Sequence, residues 1–196
     1  MKHARGFSLL ELVVVIVVVG IMAAALTPVV LSSLTAYGKT QGDLIVLDKL
    51  RYATERLARE IREVKYDGST NNYLFTNRST SAPAFTRDYV TCNDSSCSTT
   101  TTSTLTVTVA TIDSSSSSTT GCKNANCITL TYSTPTISPA PILIDQVSSL
   151  AFAYYQANGT TLATSNSNVT AVEISLSLTQ DGQPYNQRTR VELRNQ

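Results

Sequence analysis

Residues 7–31 read FSLLELVVVIVVVGIMAAALTPVVL, and from Leu12 to Leu26 the run holds no charged side chain. A helix needs about 20 apolar residues to cross the hydrocarbon core of a bilayer, so this stretch predicts one membrane-spanning helix. Lys2 and Arg5 precede it. Basic residues at that end predict an N-terminus held on the cytoplasmic side while the remainder crosses. Three plainer readings compete: a cleaved secretory signal, an ordinary signal anchor and a buried core helix. No small-x-small cleavage site directly follows the run, which argues against the first. Length and lack of polar residues argue against the third.

Glu11 separates the readings that remain. It sits just inside the apolar segment, four residues after Phe7. An ionised acid at the bilayer centre costs about 2.5 kcal/mol or more, and less near the interface. A generic anchor has no use for such a group, and a buried charge needs a partner. Cutting the chain between Gly6 and Phe7 would create one, an α-amine with a pKa of about 8. A helix cannot easily fold its own terminal amine back onto Glu11, but a neighbouring subunit's amine can reach it. Glu11 of one copy opposite the Phe7 nitrogen of another would set the axial stagger of a helical bundle.

Arg5-Gly6-Phe7-Ser8-Leu9-Leu10-Glu11-Leu12 resembles the cleavage and methylation signature of type IV prepilins and pseudopilins. The pattern is a short basic leader, Gly, Phe, an acid as the fifth residue after that Gly, then the apolar run. The resemblance implies cleavage after Gly6 by a prepilin peptidase and N-methylation of Phe7. It also implies a helix-loosening proline, which falls on Pro28, and a single-pass subunit of the bacterial inner membrane whose C-terminal domain is periplasmic. Such a subunit later enters a pilus or pseudopilus. If the leader leaves, Lys2 and Arg5 go with it and the net charge passes from +1 to −1.

Residues 43–66, DLIVLDKLRYATERLAREIREVKY, read as an amphipathic helix. Leu44, Leu47, Leu50, Thr54, Leu57, Ile61 and Val64 recur at three- and four-residue steps. Opposite charges fall four apart at Arg51 and Glu55, Glu55 and Arg59, Arg56 and Glu60, and Arg59 and Glu63, which reads as a solvated face. Asp67-Gly68 predicts the stop. A nearly continuous helix from Phe7 to Tyr66 would be about 90 Å long. Bends or melted turns are expected at Gly20, Pro28, Gly38 and Gly42.

Beyond about residue 70 the period becomes two. Strands are predicted at Leu105–Ile112, Ile128–Tyr132, Ile142–Val147, Leu150–Gln156, Val169–Thr179 and Thr189–Leu193. The cleanest sets Val172, Ile174, Leu176 and Leu178 against Glu173, Ser175, Ser177 and Thr179, a half-buried strand with one wet face. Gln180-Asp181-Gly182-Gln183 supplies a turn into the last strand. Phe152 and Tyr154 share a face with Leu150 and read as core. The fold class is therefore α+β, pilin-like: a long N-terminal helix packed on an antiparallel sheet. Its parts are a leader (1–6), a membrane segment (7–31), an amphipathic segment (32–66) and a periplasmic β-rich domain (67–196).

Cys92 and Cys97, and Cys122 and Cys127, stand at matched spacings downstream of the apolar run. That pattern reads as two disulfides in an oxidising compartment, with a zinc site as the competing reading. If residues 105–112 and 128–132 form a hairpin, Cys122 and Cys127 lie at its turn and the other two at the opposite end. This arrangement favours local pairs, Cys92–Cys97 and Cys122–Cys127, each worth about 2 kcal/mol by loop closure; the alternative, pairings between the two motifs, would close longer loops but needs the chain ends brought together. The Ser/Thr-rich stretch from Asn93 to Thr120 reads as exposed loop around one strand.

No phosphate-binding glycine loop, nucleophile elbow or metal-ligand cluster is present in the sequence. The sole histidine, His3, lies in the leader. Asp43 and Asp48 fall on the helix, and Asp88 and Asp94 are expected in loops. Asn158-Gly159-Thr160 and Asn168-Val169-Thr170 are sequons of no consequence without a glycosylating host. The chain is accordingly expected not to be an enzyme and to need no cofactor, metal or small-molecule substrate. A net charge near zero offers no basic stripe for nucleic acid. The expected partners are other pilin-like subunits through the helix, the prepilin peptidase and the inner membrane. The helix LDKLRYATERLAREIREV and the strands QVSSLAFAYYQANGTT and VTAVEISLSLTQDG resemble minor subunits. The likeness is to the J-type minor pseudopilins of type II secretion and the O-type minor prepilin of mannose-sensitive haemagglutinin pilus biogenesis. Such a subunit initiates or caps a filament. The alternatives are an adhesive or DNA-uptake minor pilin, and a periplasmic domain on a plain signal anchor.

Overall fold

The structure is a computed structural model that describes residues 8–92, 96–98, 100–113, 122, 126–133 and 141–194. The chain divides into two compact units, Met1–Leu44 and Ile45–Gln196. One helix, α1, runs from Leu9 to Arg62 and belongs partly to each. Gly6 and Phe7, on which cleavage and methylation are predicted, lie outside the described residues.

Within the first unit α1 is helical through Gly20, Pro28 and Gly38, and it continues through Gly42, so none of these is a melted turn. Pro28 carries no N–H, which deprives the Ala24 carbonyl of its usual donor. The hydroxyls of this stretch turn inward on the backbone. Thr27 Oγ1 donates to Ala23 O at 2.8 Å, and Ser33 Oγ to Val29 O at 2.9 Å. Side-chain O–H groups are thus satisfied inside the helix, as an apolar surrounding requires.

The second unit is a helix on a sheet. Strands β1 (Tyr66–Asp67) and β2 (Asn72–Tyr73) form a small antiparallel pair. The main sheet comprises β3 (Phe75–Asn77), β4 (Ala84–Cys92), β5 (Thr100–Ile112), β6 (Asn126–Tyr132), β7 (Ile142–Tyr155), β8 (Ala171–Gln180) and β9 (Gln183–Glu192). These seven strands stand in chain order with every neighbouring pair antiparallel, so β3 and β9 are its edges. Period-two patterning sorts the faces. In β8, Val172, Ile174, Leu176 and Leu178 are buried opposite Tyr154, Phe152, Leu150 and Val147 of β7. Asp181 and Gly182 both have positive φ, 50° and 75°, the conformation of a type I′ hairpin closing β8 onto β9.

Val46, Leu50, Ala53, Leu57 and Ile61 of α1 share one core with Val107, Val109, Ile128, Phe152 and Ile174 of the sheet. Burying each large aliphatic side chain contributes about 1.5–3 kcal/mol. This corrects the expected stripe. Leu44 is 57% exposed and Leu47 is 50% exposed, while Val46 and Ala53 line the core. The long side chains looked like the buried face, but the small Ala53 and Ala58 are what allow close approach to the sheet.

Several elements also differ from the expected bounds: β5 begins at Thr100 where Leu105 was expected, and β9 at Gln183 where Thr189 was expected. The helix ends at Arg62, short of Tyr66, because Val64 pairs with Arg87 and Lys65 N–H donates to Thr86 O at 2.8 Å. The two strands expected at 142–147 and 150–156 are one strand, β7, with a register shift between Val147 and Ser149 and Gln146 at a φ of 62°. That bulge changes which parity faces the core, so the pattern reads as two segments. Strand β4 was not expected at all, and Asp88 lies on it, not in a loop. Its inward face carries Arg87 after the buried Phe85, which breaks the apolar alternation.

Candidate assembly helix

Glu11 occupies the first turn of α1, where its N–H and that of Leu12 donate to Ser8 O at 3.0 and 3.2 Å. A carboxylate there is favoured by the helix dipole. Around it the helix surface is bare hydrocarbon: Leu9, Leu10, Leu12 and Ile16 are each more than half exposed. Glu11 forms no ion pair among the described residues. The helix holds a segment long and apolar enough to span a membrane, and none of it is buried within the protein. An apolar surface of that extent is stable only when lipid or other protein covers it.

The second unit holds its own part of α1 by polar contacts as well as by the core. Lys49 Nζ lies 2.8 Å from Asp145 Oδ1 and 3.1 Å from Gln146 Oε1 on β7. Eleven residues further along, Glu60 is buried, with only 2% of its surface exposed. Its Oε1 lies 2.7 Å from Arg56 Nη2 and accepts from Tyr132 Oη at 2.9 Å. Arg56 Nη2 also donates to Tyr132 Oη at 2.9 Å. Arg87 of β4 brings Nε to 3.3 Å from Glu60 Oε2, and its guanidinium pairs with Glu63. The Nε–Oε2 approach is an ionic contact, since neither buried atom has an aligned hydrogen bond.

Burial pushes the Tyr132 hydroxyl above its ordinary range, and its bond to Glu60 adds to this against the opposing pull of Arg56. Burial works against the Arg56 charge, but the bond to Tyr132 and the Glu60 charge outweigh it, and its pKa is raised. The Tyr132 phenol therefore stays neutral beside the Arg56 cation. The cluster ties the helix to β4 and β6 at once.

Glu60, expected on a solvated face, is instead buried between the helix and the sheet. The available signal was position: Glu60 lies three residues past Leu57 and seven past Ala53, on the same side as Val64. Of the four expected charge pairs, Arg51–Glu55 and Arg56–Glu60 form.

Cys92 is bonded to Cys97, and Cys122 to Cys127. The first pair is exposed at the β4–β5 connection, and the second is buried beside the start of β6. Among the described residues no group of acidic, cysteine or histidine side chains could hold a metal ion.

Residues 1–27 match the family model of the prokaryotic N-terminal methylation motif. No curated protein matches the chain. The motif covers the basic leader, Glu11 and most of the apolar run, and the domain behind it is the helix-on-sheet arrangement just described. This chain carries the N-terminal motif of the type IV prepilin and pseudopilin family on a pilin-like α+β fold.

Proposed function

We propose that the chain is a minor pilin or pseudopilin subunit that helps initiate or cap assembly of a type IV pilus or a type II secretion pseudopilus. The observation that carries this reading is Glu11: an acid in the first turn of an uncovered apolar helix, with no counter-ion among the described residues. The subunit waits in the inner membrane with its N-terminus cytoplasmic and its sheet domain periplasmic. A prepilin peptidase cuts between Gly6 and Phe7 and methylates the new amine. That amine then neutralises Glu11 of an adjacent subunit, and the apolar faces of the helices pack together. Separated charges in hydrocarbon are costly and paired ones much less so, so assembly is favoured over the lone subunit. The role is docking, not catalysis.

Mass spectrometry of the mature N-terminus tests the first step: a chain starting at methylated Phe7 is expected. Glu11→Ala tests the second. It should be cleaved normally and fail to enter filaments or to seed them. An intact Met1 in working protein, or normal incorporation of the alanine form, overturns the reading.

A further inference from the structure

The main sheet has two unlike edges. Strand β3 is only three residues long, and its Phe75 carbonyl is already covered by Asn166 Nδ2 at 2.9 Å. Strand β9 is ten residues long and has no neighbour on its outer side among the described residues. The type I′ turn fixes which of its backbone groups are free. Gln180 and Gln183 close the turn as a hydrogen-bonded pair, and bonded and non-bonded positions then alternate. Tyr185, Gln187, Thr189 and Val191 therefore bond to β8, and Leu193 N–H continues the series to Thr170 O at 2.9 Å. Asn186, Arg188 and Arg190 turn their N–H and C=O groups outward. Pro184 falls in this outward set, where its missing N–H costs the sheet nothing.

The charge along this edge is positive. Arg188 is partly offset by Glu173 at 3.4 Å. Arg190 donates Nη1 to Gly159 O at 2.6 Å and lies 4.5 Å above the Tyr155 ring, so it is held in place, and although Glu173 is its cross-strand partner it forms no ion pair among the described residues. At the end of the strand Arg62, Arg190 and Arg194 line an open cavity of about 470 Å³ with one acid, Glu192, and Leu193. Neither Arg62 nor Arg194 forms an ion pair among the described residues. Pairing β9 with β9 of a second copy in a register centred on Arg188, on Arg190 or between them would set arginine against arginine, which is unfavourable for residues directly opposite.

We propose that β9 is a docking edge for an extended acidic segment of a different polypeptide, which adds to the sheet as a further strand. Its backbone bonds to Asn186, Arg188 and Arg190. Its alternate side chains are carboxylates that meet Arg190 and, at the strand end, the cavity of Arg62 and Arg194. This goes beyond filament packing, since it uses none of the apolar helix and holds whether or not Glu11 directs assembly.

The test uses the full chain in detergent micelles and short synthetic peptides alternating valine with glutamate or valine with lysine. Binding is followed by fluorescence anisotropy, and backbone exchange by residue-resolved hydrogen–deuterium exchange. The glutamate peptide is expected to bind and to slow exchange at Asn186, Arg188 and Arg190. Arg190→Glu should weaken it about tenfold, as a reversed charge contact of about 1.4 kcal/mol implies. Unchanged exchange in β8 verifies that the variant is folded, and Arg194→Glu serves in its place if it is not. The proposal fails if the glutamate peptide does not bind, or binds without slowing those amides. It fails equally if the lysine peptide binds as tightly or the charge reversal has no effect.

Discussion

Replacing Glu60 with alanine removes the acid on which Arg56, Arg87 and Tyr132 converge at 2.7, 3.3 and 2.9 Å. Breaking a buried ion pair by deleting one partner typically costs about 3–5 kcal/mol, because the other charge stays in a poor solvent. Two features place this site at the lower end. Arg87 retains Glu63, and Arg56, about one-third exposed, can swing into water. A loss of about 3 kcal/mol lowers the melting temperature by roughly 6–12 °C for a domain of this size. Thermal unfolding of the full chain in detergent, with the disulfides intact, measures it by near-ultraviolet circular dichroism. The chain has no tryptophan and nine tyrosines, so that signal follows tyrosines such as Tyr132 and Tyr154 and not the apolar stretch from Leu9 to Leu34. Glu55→Ala, at an exposed pair on the same helix, is the control and should melt with the unaltered protein. Glu60→Gln should fall between, since it keeps an acceptor for Tyr132. In a double-mutant cycle with Tyr132→Phe, a coupling of about 1 kcal/mol is expected from the shared hydrogen bond. If Glu60→Ala melts together with Glu55→Ala, the helix is not held by this cluster and the reasoning is refuted.

Other expectations follow from local chemistry. Hydrogen bonds from the Ser69 and Thr70 hydroxyls and the Ser69 N–H hold the Asp67 carboxyl down to about 2 from an ordinary 3.8. Its contribution to the β1–β2 turn is therefore present above 3.8 and lost as pH falls towards 2, and Asp67→Asn should remove that acid step from an NMR titration. Burial raises the Tyr154 hydroxyl, which donates to Ser79 O at 3.1 Å. Stability held below its unfolded value of 10.0 is lost as pH rises through the higher folded value, so Tyr154→Phe should make alkaline unfolding shallower. Mild reductant with alkylation and mass spectrometry should label Cys92 and Cys97 well before Cys122 and Cys127, since only the first pair is exposed. Equal labelling of all four would show that exposure does not control access.

The amino-acid sequence by itself determined the features that need only neighbours along the chain. An apolar run of membrane-spanning length, an acid five residues past a glycine, and the alternation of Val172, Ile174, Leu176 and Leu178 are one-dimensional signals. So is the Asp181-Gly182 turn, because positive φ is a property of two residues. The tertiary structure decided what depends on residues far apart. Glu60 looks like any solvated glutamate until Arg87 and Tyr132 arrive from β4 and β6. Strand β4 is hidden in the sequence for the same reason, since an inward arginine is tolerated only where an acid meets it. The outward edge of β9 depends on sheet order, because nothing in Gln183–Glu192 says which strand will lack a neighbour. Periodicity reports burial against an average apolar partner, whereas ion pairs and strand edges depend on which partner is present.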